Sequence, residues 1–327
     1  MMNYIEVVNQ GASLNYRSGS RPSPQDNEVL IKVFAAGVNR ADLLQRKGGY
    51  PPPAGASEVL GLEVSGEIIA LGAGVTTLKV GQQVCALLPG GGYAQYCVAD
   101  AGSCLPIPSG FDFTAAAALP EAAFTAWTMI WELGQLAQGQ SLLIHGGSSG
   151  IGTLAAQMAV ALGHPVYVTA GSDEKCQACL QLGIEAAINY NKEDFVEKIR
   201  HLTQGKGVDV VLDMVGGDYV QRNLDSMSIG GRLVLIAFLG GRVANFDIRK
   251  LMHRRQQILG ATLRSRSLQY KSYLAQQLQQ NIWPHLDANT IRPVIDEVYP
   301  LADAERAHQR VQSGIGLGKV ILAVDHP

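Results

Sequence analysis

Apolar and polar positions alternate in short runs up to about Glu121, as in "YIEVV", "EVLIKVFAAGV", "EVSGEIIALG", "VGQQVCALL" and "YAQYCVAD". The turn-rich stretches "RPSPQDN", "PPPAGASE" and "PGGG" separate them. A period of two bounded by Gly, Pro, Asn and Asp predicts short half-buried strands, and helical periodicity is scarce in this part. Beyond Glu121 the pattern changes. "SLLIH" is followed by a helix from Gly152, "PVYVTA" by a helix near Asp173, and "VDVVLDMV" and "GRLVLIAF" read as two further buried strands. Strands alternating with helices predict βαβ units and a parallel sheet. After "QQILGATL" comes a mixed tail: a helix over 268–280, a strand "PVIDEVY", a helix from Ala302 and a last strand "KVILAV".

The stretch "LLIHGGSSGIGTLAAQ" joins the first of the parallel strands to its helix. Two chemistries use such a turn. Gly147, Gly150 and Gly152 form a loop whose backbone N–H groups and helix N-terminus bind a dinucleotide pyrophosphate. Alternatively, Gly146 to Gly150 is a G-x-S-x-G nucleophile elbow, with Ser148, Asp213 and His253 or His285 in the Ser, Asp, His order of α/β-hydrolases. The turn alone does not decide between them. The rest of the chain disfavours the elbow, because no βα run precedes it to build the sheet beneath and no HGGG-type oxyanion segment is present.

The chain has 327 residues, enough for two domains with separate cores. A formal net charge of −2 gives no basic footprint for nucleic acid. The start "MMNYIEVVNQ" lacks a basic n-region and an apolar h-region, so no secretory signal is expected. Pro120 and Glu121 interrupt the longest apolar stretch, and no membrane span is expected. Five cysteines, an odd number without a secretory signal, fit a reduced cytoplasmic protein. Cys176 and Cys179 form a C-x-x-C, which could be a redox motif or half a zinc site; without a second pair, two small buried hydrophobes on one helix are the simpler reading.

A dinucleotide reading makes a further demand at the end of the next strand, where an NAD site places a carboxylate for the ribose 2′-OH. Ala170 stands there, followed by Gly171 and Ser172, with Lys175 in the next turn. Loss of the carboxylate and gain of a lysine favour a 2′-phosphate, hence NADPH over NADH. Asp173 and Glu174 work against Lys175 unless they point to solvent.

From end to end the chain resembles the zinc-independent quinone oxidoreductases of the medium-chain dehydrogenase/reductase superfamily. Within them it is most similar to the zeta-crystallin-like NADPH:quinone reductases, on the branch of the p53-inducible enzymes. "GVNRADLLQRKGGYPPPAGASEVLGLEVSGEI", "LLPGGGYAQY", "LPEAAFTAW", "HGGSSGIGT", "VTAGSDEK", "NYNKEDF", "LRSRSLQYK" and "GLGKVIL" carry the resemblance, in that order.

The resemblance implies an α/β protein: a GroES-like β-rich catalytic domain, 1–121 and 263–327, around an inserted Rossmann domain, 122–262. It implies NADPH held by Thr125 at the carboxamide, Gly147, Ser149, Gly150, Ile151 and Gly152 at the pyrophosphate, and Gly171, Ser172, Lys175 and Tyr190 around the 2′-phosphate. Phe238 and Leu239 are expected beside the nicotinamide ribose, with Lys319 in the returning tail. Zinc-dependent relatives place a Cys and a His where this chain has Asn39 and Leu62, and their structural-zinc lobe is replaced by "LLPGGGYAQY". No metal is therefore expected. Glu63 remains as a structural carboxylate. Without a Lewis acid the substrate should delocalise the incoming charge itself, as a quinone or an enone does. Asn39 and Tyr50 are the implied polar residues for its oxygen, with packing over the cofactor as Tyr50's other role. The implied activity is reduction of small quinones; a C=C reductase of enones or alkenals and an NADPH-binding stress protein with little turnover are the alternatives. A homodimer is implied too, joined at sheet edges near "RLVLIAF".

Overall fold

The computed structural model describes residues 1–326. Two compact units divide the chain, Met1–Phe124 with Arg264–Pro327, and Thr125–Leu263. In chain order the first unit opens with the hairpin β1 (Met2–Val8) and β2 (Ser13–Gly19). Then come β3 (Glu28–Val38), α1 (Arg40–Arg46), β4 (Glu63–Leu71), β5 (Gln83–Leu87), β6 (Tyr96–Asp100), β7 (Cys104–Pro106), α2 (Phe113–Ala117) and α3 (Pro120–Ala126). The second unit runs β8 (Leu142–His145), α4 (Gly150–Ala161), β9 (Val166–Ala170), α5 (Asp173–Leu180), β10 (Ala186–Asn189), α6 (Phe195–Leu202), β11 (Val208–Asp213), α7 (Tyr219–Ser226), β12 (Met227–Leu235), α8 (Ile248–His253) and β13 (Gln257–Gly260). The chain returns to the first unit with α9 (Leu268–Asn281), α10 (Trp283–Asp287), β14 (Ile295–Pro300), α11 (Ala304–Ser313) and β15 (Lys319–Ala323).

In the first unit one sheet has the order β14-β15-β3-β4-β5-β7, with β6 also paired to β3. All its pairings are antiparallel except β14 with β15. The alternating pattern of β3 places Val29, Ile31 and Val33 in the core with Val64, Ile68, Val84 and Leu322. Register does the rest: Val320 faces Val38, so Lys319 at the start of β15 lies next to Asn39 just after β3.

The second unit is a six-stranded sheet, β10-β9-β8-β11-β12-β13, parallel throughout. Strand order reverses between β8 and β11, and ligands of such sheets bind at the carboxyl ends of strands flanking that switch point. Its central strands are wholly buried, which is why they read as continuous apolar runs rather than alternations. β12 carries most of "RLVLIAF" and is paired on both sides, by β11 and β13. That corrects the expected position of a sheet edge, because "QILG" of β13 covers β12 and is itself the edge.

All five cysteines are free and buried, and burial raises Cys97 to about 12 and Cys179 to about 11. No helix among the described residues is long and apolar enough to cross a membrane.

Candidate functional site

In the second unit the chain leaves β8 at His145 and turns through Gly146, whose φ of 69° is costly for any residue with a side chain. A β-carbon on Gly147 would overlap the Val168 side chain of β9, and one on Gly152 would overlap the Gly146 carbonyl. Glycine at these two positions lets helix, turn and strand approach closely. Ser149 caps α4 by accepting the Gly152 N–H at 3.0 Å. Gly150 and Ile151 then supply the other first-turn N–H groups, which a helix leaves without internal partners.

At the end of β9, Ser172 caps α5 and accepts the Lys175 N–H at 3.3 Å. Tyr190 closes over Gly171, where a β-carbon would lie 2.6 Å from its hydroxyl. The Asn191 amide donates to the Gly171 carbonyl at 2.7 Å. Lys192, and after it the Asn189 amide at 2.6 Å, hold the Asp173 carboxylate below the usual range. The charge of Asp173 is therefore matched by Lys192, a residue the sequence reading does not single out. Gly171, Ser172, Lys175 and Tyr190 thus share one corner of the unit.

Beyond β11 the Asp213 carboxylate accepts the N–H groups of Val215 at 2.6 Å and Gly216 at 3.2 Å. The loop it shapes is bonded to the segment after β12: Leu239 donates to the Met214 carbonyl at 3.1 Å and Gly240 to Val215 at 2.7 Å. Phe238 and Leu239 stand exposed on that segment, at 61% and 53%. Thr125 is buried in α3 at the beginning of the unit. A hydrolase triad is not assembled. Ser148 is buried, Asp213 is filled by backbone N–H groups and Asn223, and His253 lies exposed beside Arg249.

The first unit builds its own polar cluster. Asn39 precedes α1 with extended backbone, and its N–H donates to Asp42 Oδ2 at 2.8 Å. Its side-chain amide donates to Glu63 Oε1 at 2.8 Å and accepts from Lys319 Nζ at 2.7 Å. Lys319 also pairs with Glu63, while Glu63 Oε2 accepts the Glu121 N–H at 2.9 Å. Gly37 makes this possible, since a β-carbon there would overlap the Glu63 carboxylate. Asn39, Glu63 and Lys319 form a closed triangle, all buried. Lys319 is thereby joined to Asn39, and its ammonium is engaged inside the first unit.

Carboxyls around the triangle are hard to ionise. Burial raises Asp42 to about 6 even though it accepts from Asn39, Gly61 and Tyr93. Burial, then the neighbouring Glu63, raises Glu121 to about 7. Tyr50 is half-buried; its carbonyl accepts from Arg264 at 3.1 Å and the guanidinium lies 5.3 Å from its ring centre. Burial, then Glu121, makes the Tyr50 hydroxyl harder to ionise. The Asn39 amide nitrogen carries two hydrogens, one of which goes to Glu63; it and the Tyr50 hydroxyl are donors of the kind that hold a carbonyl oxygen.

Comparisons with known proteins bear on both units. A family profile described as an alcohol dehydrogenase GroES-like domain matches residues 25–109, and one described as a zinc-binding dehydrogenase matches residues 150–279. The quinone oxidoreductase of Rattus norvegicus is 33% identical over 303 residues, covering 92% of this chain and 90% of that protein. The structure of Escherichia coli quinone oxidoreductase complexed with NADPH matches with a TM-score of 0.85 at 27% identity, over 98% of this chain and 99% of that one. The structure of CurK enoyl reductase matches with a TM-score of 0.85 at 27% identity, over 99% of each chain.

Proposed function

The chain belongs to the quinone oxidoreductases of the medium-chain dehydrogenase/reductase superfamily, and on that premise we propose that it reduces small quinones with NADPH, without a metal. The observation that carries the reading is the Asn39–Glu63–Lys319 triangle. In zinc-dependent relatives the resemblance places metal ligands at the positions of Asn39 and Leu62; here one is an amide and the other apolar. Glu63 already faces an ammonium, which would repel an added cation. Among the described residues no group of three or more His, Cys, Asp and Glu is arranged to hold a metal ion. This donor set does not fit catalytic zinc, which takes about three protein ligands, and no step is routed through one.

The reduced nicotinamide, when bound, supplies a hydride. Gly147, Gly150 and Gly152 admit the pyrophosphate to the helix N-terminus, and Ser149 and Ile151 complete that turn. Lys175, Ser172 and Tyr190 about Gly171 take the 2′-phosphate, with Lys192 balancing Asp173. Thr125, Phe238 and Leu239 are assigned to the nicotinamide half. In the first unit, Asn39 and Tyr50 donate to the acceptor oxygen as it gains charge. Lys319 orients Asn39 and holds Glu63 neutralised, so no bare carboxylate opposes that charge.

A second reading is favoured by the likeness to CurK enoyl reductase: the same hydride delivered to the C=C bond of an enone or alkenal. Multiple-turnover oxidation of NADPH, with NADH in parallel, tests both on chelator-treated protein given an ortho-quinone, a para-quinone or an alkenal. A hydroquinone or semiquinone supports the first reading and a saturated carbonyl the second. Tight NADPH binding without turnover on any acceptor would leave a binding protein. A homodimer belongs to the same proposal, and sedimentation as a monomer at working concentration would reject it.

A further inference from the structure

Four buried polar side chains in the second unit form a one-way chain of hydrogen bonds. Asp213 can only accept, and its Oδ2 takes the Asn223 amide N–H at 3.0 Å. That leaves Asn223 Oδ1 as an acceptor, 2.7 Å from His145 Nε2, so the imidazole carries its proton on Nε2. Nδ1 must then accept, and the Thr169 hydroxyl lies 2.9 Å from it. Each donor is fixed by the next acceptor. None of the four side chains exceeds 1% exposure. Phe195 and Tyr219 meet the imidazole edge-on, with ring centres at 4.8 and 5.0 Å, and hold the plane of its ring.

The members sit at three strand ends. His145 is the last residue of β8, directly before the glycine turn. Thr169 is one residue from the end of β9, directly before the Ala170–Ser172 loop. Asp213 ends β11 and fixes the loop bonded to Leu239 and Gly240. Asn223 reaches in from α7. The backbone ladders already hold these strands together without the side-chain contacts. What the polar chain adds is a fixed spacing between three loops.

We propose that Thr169, His145, Asn223 and Asp213 are positioning residues that set the phosphate turn, the 2′-phosphate loop and the 214–217 loop at the separation one dinucleotide needs. This rests on the reading of those loops as the NADPH site. A ligand reaching across all three loops feels a change in their spacing; a ligand confined to the adenosine corner feels it far less.

Calorimetric titration of the full-length protein with NADPH and, separately, with adenosine 2′-monophosphate, which has no 5′-phosphate to reach the glycine turn, tests it, with circular dichroism to check folding. Asn223→Leu and Thr169→Val each leave a buried polar partner unsatisfied, and each is expected to weaken NADPH about tenfold. Binding of the 2′-monophosphate should change less than about threefold, and Thr169→Ser should keep wild-type binding of both. Folded variants that bind NADPH as wild type does, or that lose both probes equally, would overturn the proposal. Wild-type protein that binds neither probe overturns the dinucleotide reading, and the proposal with it. Should Asn223→Leu fail to fold, Thr169→Val decides alone, because it removes one hydroxyl and keeps the branched shape of a strand residue.

Discussion

Lys319 donates to the side-chain oxygen of Asn39 at 2.7 Å, joining positions 280 residues apart. The antiparallel pairing of β15 with β3 brings them together, and Glu63 of β4 completes the contact. Both charged groups are buried, Lys319 at 4% exposure and Glu63 at none. Neither can be removed without stranding the other. Lys319→Met should cost roughly 3–5 kcal/mol in urea unfolding followed by circular dichroism, because Glu63 loses its counter-charge. The double change Lys319→Met with Glu63→Gln should recover part of that loss. Equal losses in the single and double variants would mean that the pair is not coupled.

Recognition of the 2′-phosphate is assigned to Lys175, with Lys192 in a different role. Lys175→Ala should weaken NADPH by roughly ten- to a hundredfold, the worth of one charge-assisted hydrogen bond, and leave NADH nearly unchanged. Lys192→Ala releases the Asp173 carboxylate, so a smaller loss confined to NADPH is expected from repulsion. Fluorescence titration with both cofactors reads the two effects. Equal weakening of NADH by Lys175→Ala would remove the lysine from the 2′-phosphate.

Gly147 has a packing reason beside the binding role proposed for it. A β-carbon there meets the β-carbon of Val168, which belongs to a central strand and cannot swing away. Gly147→Ala should destabilise the protein by about 1–3 kcal/mol, the usual cost of overpacking. It should also weaken NADPH, since the turn must move off the strand. A thermal melt unchanged by the substitution would show that the turn yields freely.

Much of this is legible in the chain wherever an element carries its own local signal. β3 coincides with the run "EVLIKVFAAGV", and the glycine turn lies between an apolar strand and a periodic helix. β10, "AAIN", is not legible, because two alanines give a strand little apolar signature. The sheet edge differs from the expected one for a related reason: "RLVLIAF" and "QILG" are both apolar, and only pairing tells which lies outside. Lys319 with Glu63, Lys192 with Asp173 and His145 with Asn223 are pairings over long separations, and nothing local in the sequence announces a partner. Lys192 offered one signal, its place in "NYNKEDF" shortly after the strand that follows the ribose loop.

His308 ties the returning tail to the core of the first unit. Its Nε2 meets the Tyr93 hydroxyl at 3.2 Å, and Tyr93 donates to Asp42 at 3.1 Å. Burial, then the nearby Arg46, lowers His308 from the ordinary 6.5 to about 3. A histidine depressed in the folded state stabilises the fold above the unfolded value, and that contribution is lost as pH falls toward the folded one. Asp42, raised to about 6, acts in the opposite direction: its cost to the fold is present above about 6 and relieved as pH falls toward the ordinary carboxylate range. The two oppose each other in the wild-type protein, so only a comparison isolates either. His308→Gln retains a donor for Tyr93 but cannot titrate. Between pH 7 and pH 4 the wild-type protein should lose about 3 kcal/mol relative to this variant, measured by urea unfolding at several pH values. Parallel stability curves would mean that His308 ionises as readily in the folded chain as in the unfolded one, and that the Tyr93 hydrogen bond survives its protonation.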